Sequence, residues 1–354
     1  MSRDRRTLFW IGGLVVFAVL VHLLATVLLP FVAGLAIAYL LDPVADRLEK
    51  WGAKRWLAAT IIVGAFFVIV GGLLVLLFPL LQAQVVGLIA LIPDAVDKLR
   101  AWAEPMIRHL EADLPPETLK QLTAAAGSYA GAAIKWMTGL IGGLWKGGVA
   151  VFNVVSLVVI TPVVAFYLLR DWNRIVERFD SYLPREAAPT IRGQVQAIDA
   201  TIAGFLRGQA GVCLVLAVWY AVALTAVGLK FGLLVGLGAG FISFIPYVGA
   251  TVGLLVGVGI AVVQFAAWPM VAVVAAVFVI GQTAESYVLT PRLVGDRIGL
   301  HPVWIIFALL AGGALFGFTG VLLAVPAAAV IGVLIRFGLG RYLESPLYKG
   351  DARP

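Results

Sequence analysis

The sequence predicts an all-α integral membrane protein with about eight transmembrane helices. Three observations carry that expectation. The 354 residues are 62% hydrophobic and 13% charged, against about 45–50% and about 25% in soluble domains. The apolar residues gather into unbroken runs of about 20 residues, long enough to cross a bilayer as helix. A membrane barrel would show alternating segments of about 10 residues instead. Two of the spans are expected to be broken or re-entrant helical hairpins, and one outer segment is expected to be amphipathic and helical.

The first run, 8–28, follows a basic N-terminus. It is longer than the apolar core of a signal peptide, and more apolar sequence follows as far as Leu41, so it reads as an uncleaved first helix. A shorter run, 30–41, begins after Pro30. The next are 57–83, 148–169 and 209–228. A glycine-rich region, 231–267, is interrupted by "FIPYVG". The runs 269–289 and 302–336 complete the set, the last interrupted by "GGALFGFTG".

Charge sets the expected threading. Nineteen of the 26 Lys and Arg residues lie in 1–7, 42–56, 170–208, 290–301 and the tail from Arg336. The segment 84–147 balances six basic residues with six acidic ones. Basic loops stay on the cytoplasmic side. Both termini are therefore expected inside and 84–147 outside, with 8–28 and 30–41 forming a hairpin that returns inside. The net charge of +7 is then a topology signal. The expected partner is the lipid bilayer, and no nucleic acid is expected.

The outer segment is patterned. Val96, Leu99, Ala103, Ile107 and Leu110 fall at helical spacing. Leu119, Leu122, Ala126, Tyr129, Ala133, Trp136 and Leu140 alternate steps of three and four, which is a heptad seam. Such a seam needs a partner helix, from the same subunit or from another. Ile191, Val195, Ile198, Ile202 and Phe205 form a similar stripe, expected as an amphipathic helix along the inner membrane face.

The two interrupted regions are the sharper signal. Residues 232–245 make only about 21 Å of helix, short of a hydrocarbon core of about 30 Å. Pro246 removes a donor, and Gly249 and Gly253 loosen the helix after it. Residues 302–316 are also short, and "GFTG" (317–320) is expected to break them from 321–336. Each interrupted region follows one span, and the threading runs those two spans in opposite directions. The segments 209–267 and 269–336 thus have the order of an inverted repeat, whose broken tips hold a polar or ionic ligand at mid-membrane. Ser243, Pro246, Gly249, Gln282, Glu285, Arg292, Gly312 and Gly313 are placed on that pathway. The plainer reading is that glycines permit close helix packing, which suits Gly12, Gly13 and Gly64. The resulting parts are 1–83 (N-terminal transmembrane helices, a scaffold), 84–147 (outer helical segment), 148–208 (one span and cytoplasmic helices), 209–336 (the unit carrying both hairpins) and 337–354 (a cytoplasmic tail).

Glu285 lies near the inner end of an otherwise apolar span, with Gln282 one turn before it. A buried acid in lipid is kept for a partner or for a pathway. Arg292, beyond Pro291, is the nearest basic residue. Glu285 is thus either an ion or proton relay or half of a structural ion pair. Pro291, Gly295 and Gly299 are expected to make 290–301 a folded turn, with Asp296 and Arg297 solvated or paired locally. His301, before Pro302, caps the next helix or titrates near neutrality. Cys213, the single cysteine, reads as a small core residue. The chain has no G-x-x-x-x-G-K-[ST], H-E-x-x-H or G-x-S-x-G sequence, no cysteine pair and three dispersed histidines. No enzymatic activity, cofactor or metal is expected.

"FISFIPYVGA", "ESYVLTPRLVGDRIGLHPVWIIFALLAGGALFGFTGVLLAVP", "FYLLRD", "FLRGQ" and "YLLDPVADRLEKWG" together resemble the AI-2E family of bacterial transporters, the PerM-like permeases, over nearly the whole chain. The resemblance implies a multi-pass protein of the bacterial inner membrane that forms homo-oligomers, pentamers by similarity. It implies export of a small polar solute such as the signal autoinducer-2, or sodium–proton antiport. Carried over by motif, Pro246, Gly249, Glu285, Pro291, Gly295, Gly299, His301, Pro302, Gly312, Gly313 and Gly317 occupy the family's core positions. Ser243 stands where the family often has Asn, and Ala250 where it often has Pro. Ser243 keeps a hydroxyl without the amide, which loosens the transfer of substrate identity. A membrane scaffold that transports nothing is the alternative from another class, and it has no need of broken half-spans.

Overall fold

The computed structural model describes residues 24–113, 148–265, 267–295 and 299–349, which form helices with no strand among them. Helix α1 (Ala25–Lys50) runs through Pro30 and Pro43 without interruption, so the break expected at Pro30 is not there. Here the Thr161 hydroxyl donates to the Pro30 carbonyl at 3.4 Å. The chain leaves α1 through Gly52, whose φ of +95° favours glycine.

Helix α2 (Arg55–Asp113) is 59 residues long. At about 1.5 Å per residue it is roughly three times the length of a hydrocarbon core. The expected span 57–83 and the first part of the outer segment are therefore one helix, which includes the stretch from Val96 to Leu110. The seam from Leu119 to Leu140 and the first apolar run up to residue 23 lie outside the described residues.

Helices α3 (Gly148–Ser181) and α4 (Ala188–Ala226) follow. The stripe from Ile191 to Phe205 is the first half of α4, continuous with the span after it, rather than a separate surface helix. Gly208 does not break α4, because it serves a close approach. A Cβ there would lie 2.4 Å from the Leu293 carbonyl oxygen.

Both interruptions read from the sequence exist. Helix α5 (Gly232–Ile242) and helix α6 (Val248–Gln264) pack on one another across a short tip. Helix α7 (Trp268–Ala284) packs on α6 and continues as a π-helix over Glu285–Val294. The expected turn over 290–301 therefore begins only at Gly295. Pro291 lies inside the π-helix, whose wider turn eases the clash of its ring with the carbonyl four back. Helix α8 (Pro302–Glu344) is kinked at Gly317, with φ 59° and ψ −141°. The break is one residue, not the four of "GFTG". A Cβ on Gly312 would lie 2.5 Å from the Gly320 carbonyl oxygen, so the two arms of α8 meet backbone to backbone. A short α9 (Pro346–Lys349) closes the described chain.

Five helices among the described residues are long and apolar enough to cross a membrane: Leu28–Lys50, Arg55–Leu88, Ala188–Ala226, Trp268–Val294 and Pro302–Glu344. The chain is a multi-pass, all-helical membrane protein.

The helices gather into two compact units. The first comprises Met1–Ile69, Ser156–Val212 and Tyr287–Pro354; the second comprises Val70–Val155 and Cys213–Ser286. In the first, Ala38, Ala45, Ala59, Ile62, Val63 and Leu169 form a buried core. Small residues let α1, α2 and α3 approach closely, which lipid-embedded helices require because burial of apolar surface gains little there. Beside this core, Arg55 gathers three carboxylates of α1: Asp42 at 2.7 Å, Asp46 at 2.5 Å and Glu49 at 3.2 Å. Its Nε donates to the Leu169 carbonyl at 3.1 Å, so the same guanidinium ties α1, α2 and α3. Arg207 of α4 donates to the Tyr39 carbonyl at 3.0 Å, and the Tyr39 hydroxyl donates to Asp199 at 2.9 Å.

Arg55→Ala is expected to destabilise this unit by about 2 kcal/mol. It leaves three carboxylates on one helix face with no common counter-charge. A fall in the temperature at which detergent-purified protein loses its monodisperse elution peak checks this. Arg55→Lys is expected to recover less than half, because an ammonium lacks the fork that reaches several acceptors.

Arg192 of α4 holds Asp180 of α3 through two hydrogen bonds, at 2.6 and 2.8 Å. The guanidinium lowers the Asp180 carboxyl below its usual range. A lowered carboxylate stabilises the fold above its unfolded pKa and ceases to do so as pH falls through its folded value. Both groups are well exposed, so the effect is small. Arg192→Ala is expected to leave neutral-pH stability almost unchanged and to remove a small acid-sensitive part below about pH 4, as read by thermal scans across pH.

Candidate functional site

In the second unit, the apolar face of α7 repeats at steps of three and four. Val271, Val274, Phe278 and Gly281 are buried along it, and the next position in the same rhythm is Glu285. Its side chain is buried, with 8% exposed. An acid in the position of a core residue costs roughly 2.5–3.5 kcal/mol at a helix centre in lipid, less toward the interface.

The facing surface belongs to α4. Tyr220 is fully buried, and its ring lies 4.8 Å from that of Phe278. Gly281 makes room for it: a Cβ there would fall 2.6 Å from the Tyr220 hydroxyl. Trp219, the next residue, donates its indole N–H to the Val277 carbonyl at 3.1 Å, which fixes α4 against α7. Cys213 lies on the same buried side of α4. Glu285 follows Gly281, the residue against the Tyr220 hydroxyl, by one turn of α7. Glu285 forms no ion pair among the described residues, and neither does exposed Arg292. Gln282, half-buried, donates to the Ser286 hydroxyl at 3.3 Å.

The tip of the α5–α6 hairpin lies in the same unit. Ser243 is buried and donates to the Ala239 carbonyl at 2.9 Å. Gly249 closes the tip, since a Cβ there would fall 2.3 Å from both the Ser243 nitrogen and hydroxyl. Pro246 is half-buried between them. Tyr247 adopts a left-handed φ of +68° and is exposed, a strained conformation for a side chain of this size.

The remaining sequence-selected residues fall in the first unit. Gly312 packs on Gly320, and Gly313 meets Val321. Gly295 and Gly299 both have positive φ, as the turn between the π-helix and α8 demands. Asp296 and Arg297 lie outside the described residues. His301 caps α8, its Nδ1 accepting from the Val303 N–H at 3.4 Å, with Pro302 opening the helix. Arg336 donates to the Gly299 carbonyl at 3.3 Å, tying this turn to the far arm of α8.

Two groups escaped the sequence reading. Arg55 looked like one of several loop charges. Tyr220 looked like one aromatic in an apolar run. Its signal was register: on α4 it follows Cys213 by seven residues, on the face that meets Gly281.

Known proteins resemble this chain along most of its length. A family model described as AI-2E family transporter matches residues 11–340. YrrI of Bacillus subtilis, assigned to transport, is 29% identical over 314 residues, covering 88% of this chain and 86% of YrrI. PerM of Escherichia coli K12, named for a permease, is 29% identical over 320 residues, 87% of this chain and 86% of PerM. TqsA of the same strain, named an AI-2 transport protein, is 22% identical over 328 residues, 92% of this chain and 90% of TqsA. A multi-pass helical chain with two broken helices and a buried intramembrane acid, matched along nearly its whole length, belongs to the AI-2E transporter family.

Proposed function

We propose that this protein is a secondary transporter of the bacterial inner membrane that exports a small polar solute such as autoinducer-2. Glu285 carries the coupling charge. The observation behind this reading is the buried Glu285 carboxylate, at a core position of a membrane helix with no counter-ion among the described residues. A purely structural acid would be paired; an unpaired one suits a group that takes up and releases charge. Likeness to TqsA supports the solute class. The absence of a Walker-type loop from the sequence supports gradients rather than ATP as the driving force. The broken hairpins supply half-helix ends of the kind that transporters place at mid-membrane. Both termini face the cytoplasm in this reading, and the chain works as a homo-oligomer.

Antiport of a monovalent cation against protons is the second reading, and the same carboxylate favours it. Inside-out vesicles loaded with the protein separate the two. Accumulation of labelled autoinducer-2 above protein-free vesicles is expected for solute export. Cation-driven proton movement with no solute accumulation would replace export by antiport.

A further inference from the structure

The Tyr220 hydroxyl is the one buried side-chain oxygen or nitrogen among the described residues that has no hydrogen-bond partner. The ring around it is fully buried and held on two sides, by Phe278 and by the α7 backbone at Gly281. Buried hydroxyls almost always find a partner, and a phenylalanine would fill the same space without the cost of an unmet polar group. Glu285 is buried one turn beyond Gly281. The two features explain one another. A carboxylate with no counter-charge needs a cation, and a phenol with no partner offers a hard oxygen ligand and a donor.

We propose that Glu285 and Tyr220 together bind one monovalent cation, a proton or an alkali ion, and that its uptake and release is the coupling step of transport. The carboxylate supplies the charge. The phenol makes no hydrogen bond in this structure, so its oxygen is free to ligate an alkali ion or to exchange a hydrogen bond with a proton-carrying group when the cation enters. Cys213 is the other titratable group buried on this side of α4. From α7 and the π-helix the neighbouring polar groups are Gln282 and Ser286, which bond each other. No charged side chain among the described residues offsets Glu285. A single added positive charge therefore neutralises the cluster.

The proposal rests on the transport reading for its purpose, and its test needs no transport. Dicyclohexylcarbodiimide adds to protonated buried carboxyl groups and is slowed when a cation occupies the site. Full-length detergent-purified protein is labelled across pH, in sodium or in choline, and the adduct is placed by peptide mapping. Labelling at Glu285 that slows with rising pH is expected, and it is expected to be absent in Glu285→Gln. Sodium protection identifies an alkali ion, and a response to pH alone identifies the proton. Tyr220→Phe is expected to keep the adduct and to shift the sodium or pH midpoint by about tenfold in cation concentration, or about one pH unit. Labelling insensitive to both cations, or a Tyr220→Phe midpoint equal to wild type, would overturn the proposal. An intact cation response in protein that moves no solute would instead overturn the export reading alone.

Discussion

Glu285→Gln is expected to reduce gradient-driven accumulation of labelled solute in inside-out vesicles to the level of protein-free vesicles. Expression and elution of the purified protein should stay at wild-type levels. The amide keeps the shape and the hydrogen-bonding capacity of the carboxyl and removes its charge. It also relieves the burial of an acid that meets no opposite charge among the described residues, so the variant is expected to be no less stable than wild type. That combination separates a functional acid from a structural one. If Glu285 were half of an ion pair, its removal would leave a buried cation unpaired and the protein would lose stability. Driven accumulation equal to wild type would end the coupling role.

The second large effect concerns α5. Gly232, Gly236 and Gly240 lie at spacing four on one face, against the backbone of α4. A Cβ on Gly236 would fall 2.2 Å from the Ala221 nitrogen, and one on Gly240 would fall 2.2 Å from the Ala217 Cα. Backbone atoms cannot rotate aside as side chains do. Even Gly240→Ala is therefore expected to destabilise the second unit by about 3 kcal/mol. Gly236→Leu is expected to prevent the hairpin from docking, read as loss of monodisperse protein. Gly238 is the control within the same helix. A Cβ there meets nothing within 4 Å, so Gly238→Ala is expected to be neutral or stabilising, by up to about 1 kcal/mol of helix propensity. Equal behaviour of Gly238→Ala and Gly240→Ala would contradict the close α4–α5 contact.

Hydropathy and glycine placement made the helical spans and both interruptions legible. Pro246 lies in the turn between α5 and α6, and Gly317 kinks α8. Proline proved ambiguous elsewhere. Pro30 sits within α1 and Pro291 within the π-helix, because a membrane helix accommodates proline by packing and local adjustment that a lone helix lacks. Helix length was hidden as well. The boundary between a span and its extension is a change of solvent, and the backbone hydrogen bonds of α2 continue through it. Glu285 stood out because acids are rare in apolar runs. Tyr220 did not, since only the packing of α4 on α7 shows that its hydroxyl is buried and unpartnered. The three-carboxylate grip of Arg55 was likewise invisible, although Asp42, Asp46 and Glu49 share one helix face by spacing, because nothing in the spacing says which cation they receive.

The most direct test of the account is proton movement in proteoliposomes of purified protein carrying an internal pH dye, with gradients imposed across the bilayer. The account predicts that an imposed sodium or solute gradient moves protons, and that Glu285→Gln in the same vesicles abolishes the response. An undiminished change in Glu285→Gln would contradict the claim that Glu285 carries the coupling charge; no pH change under any imposed gradient would contradict proton coupling.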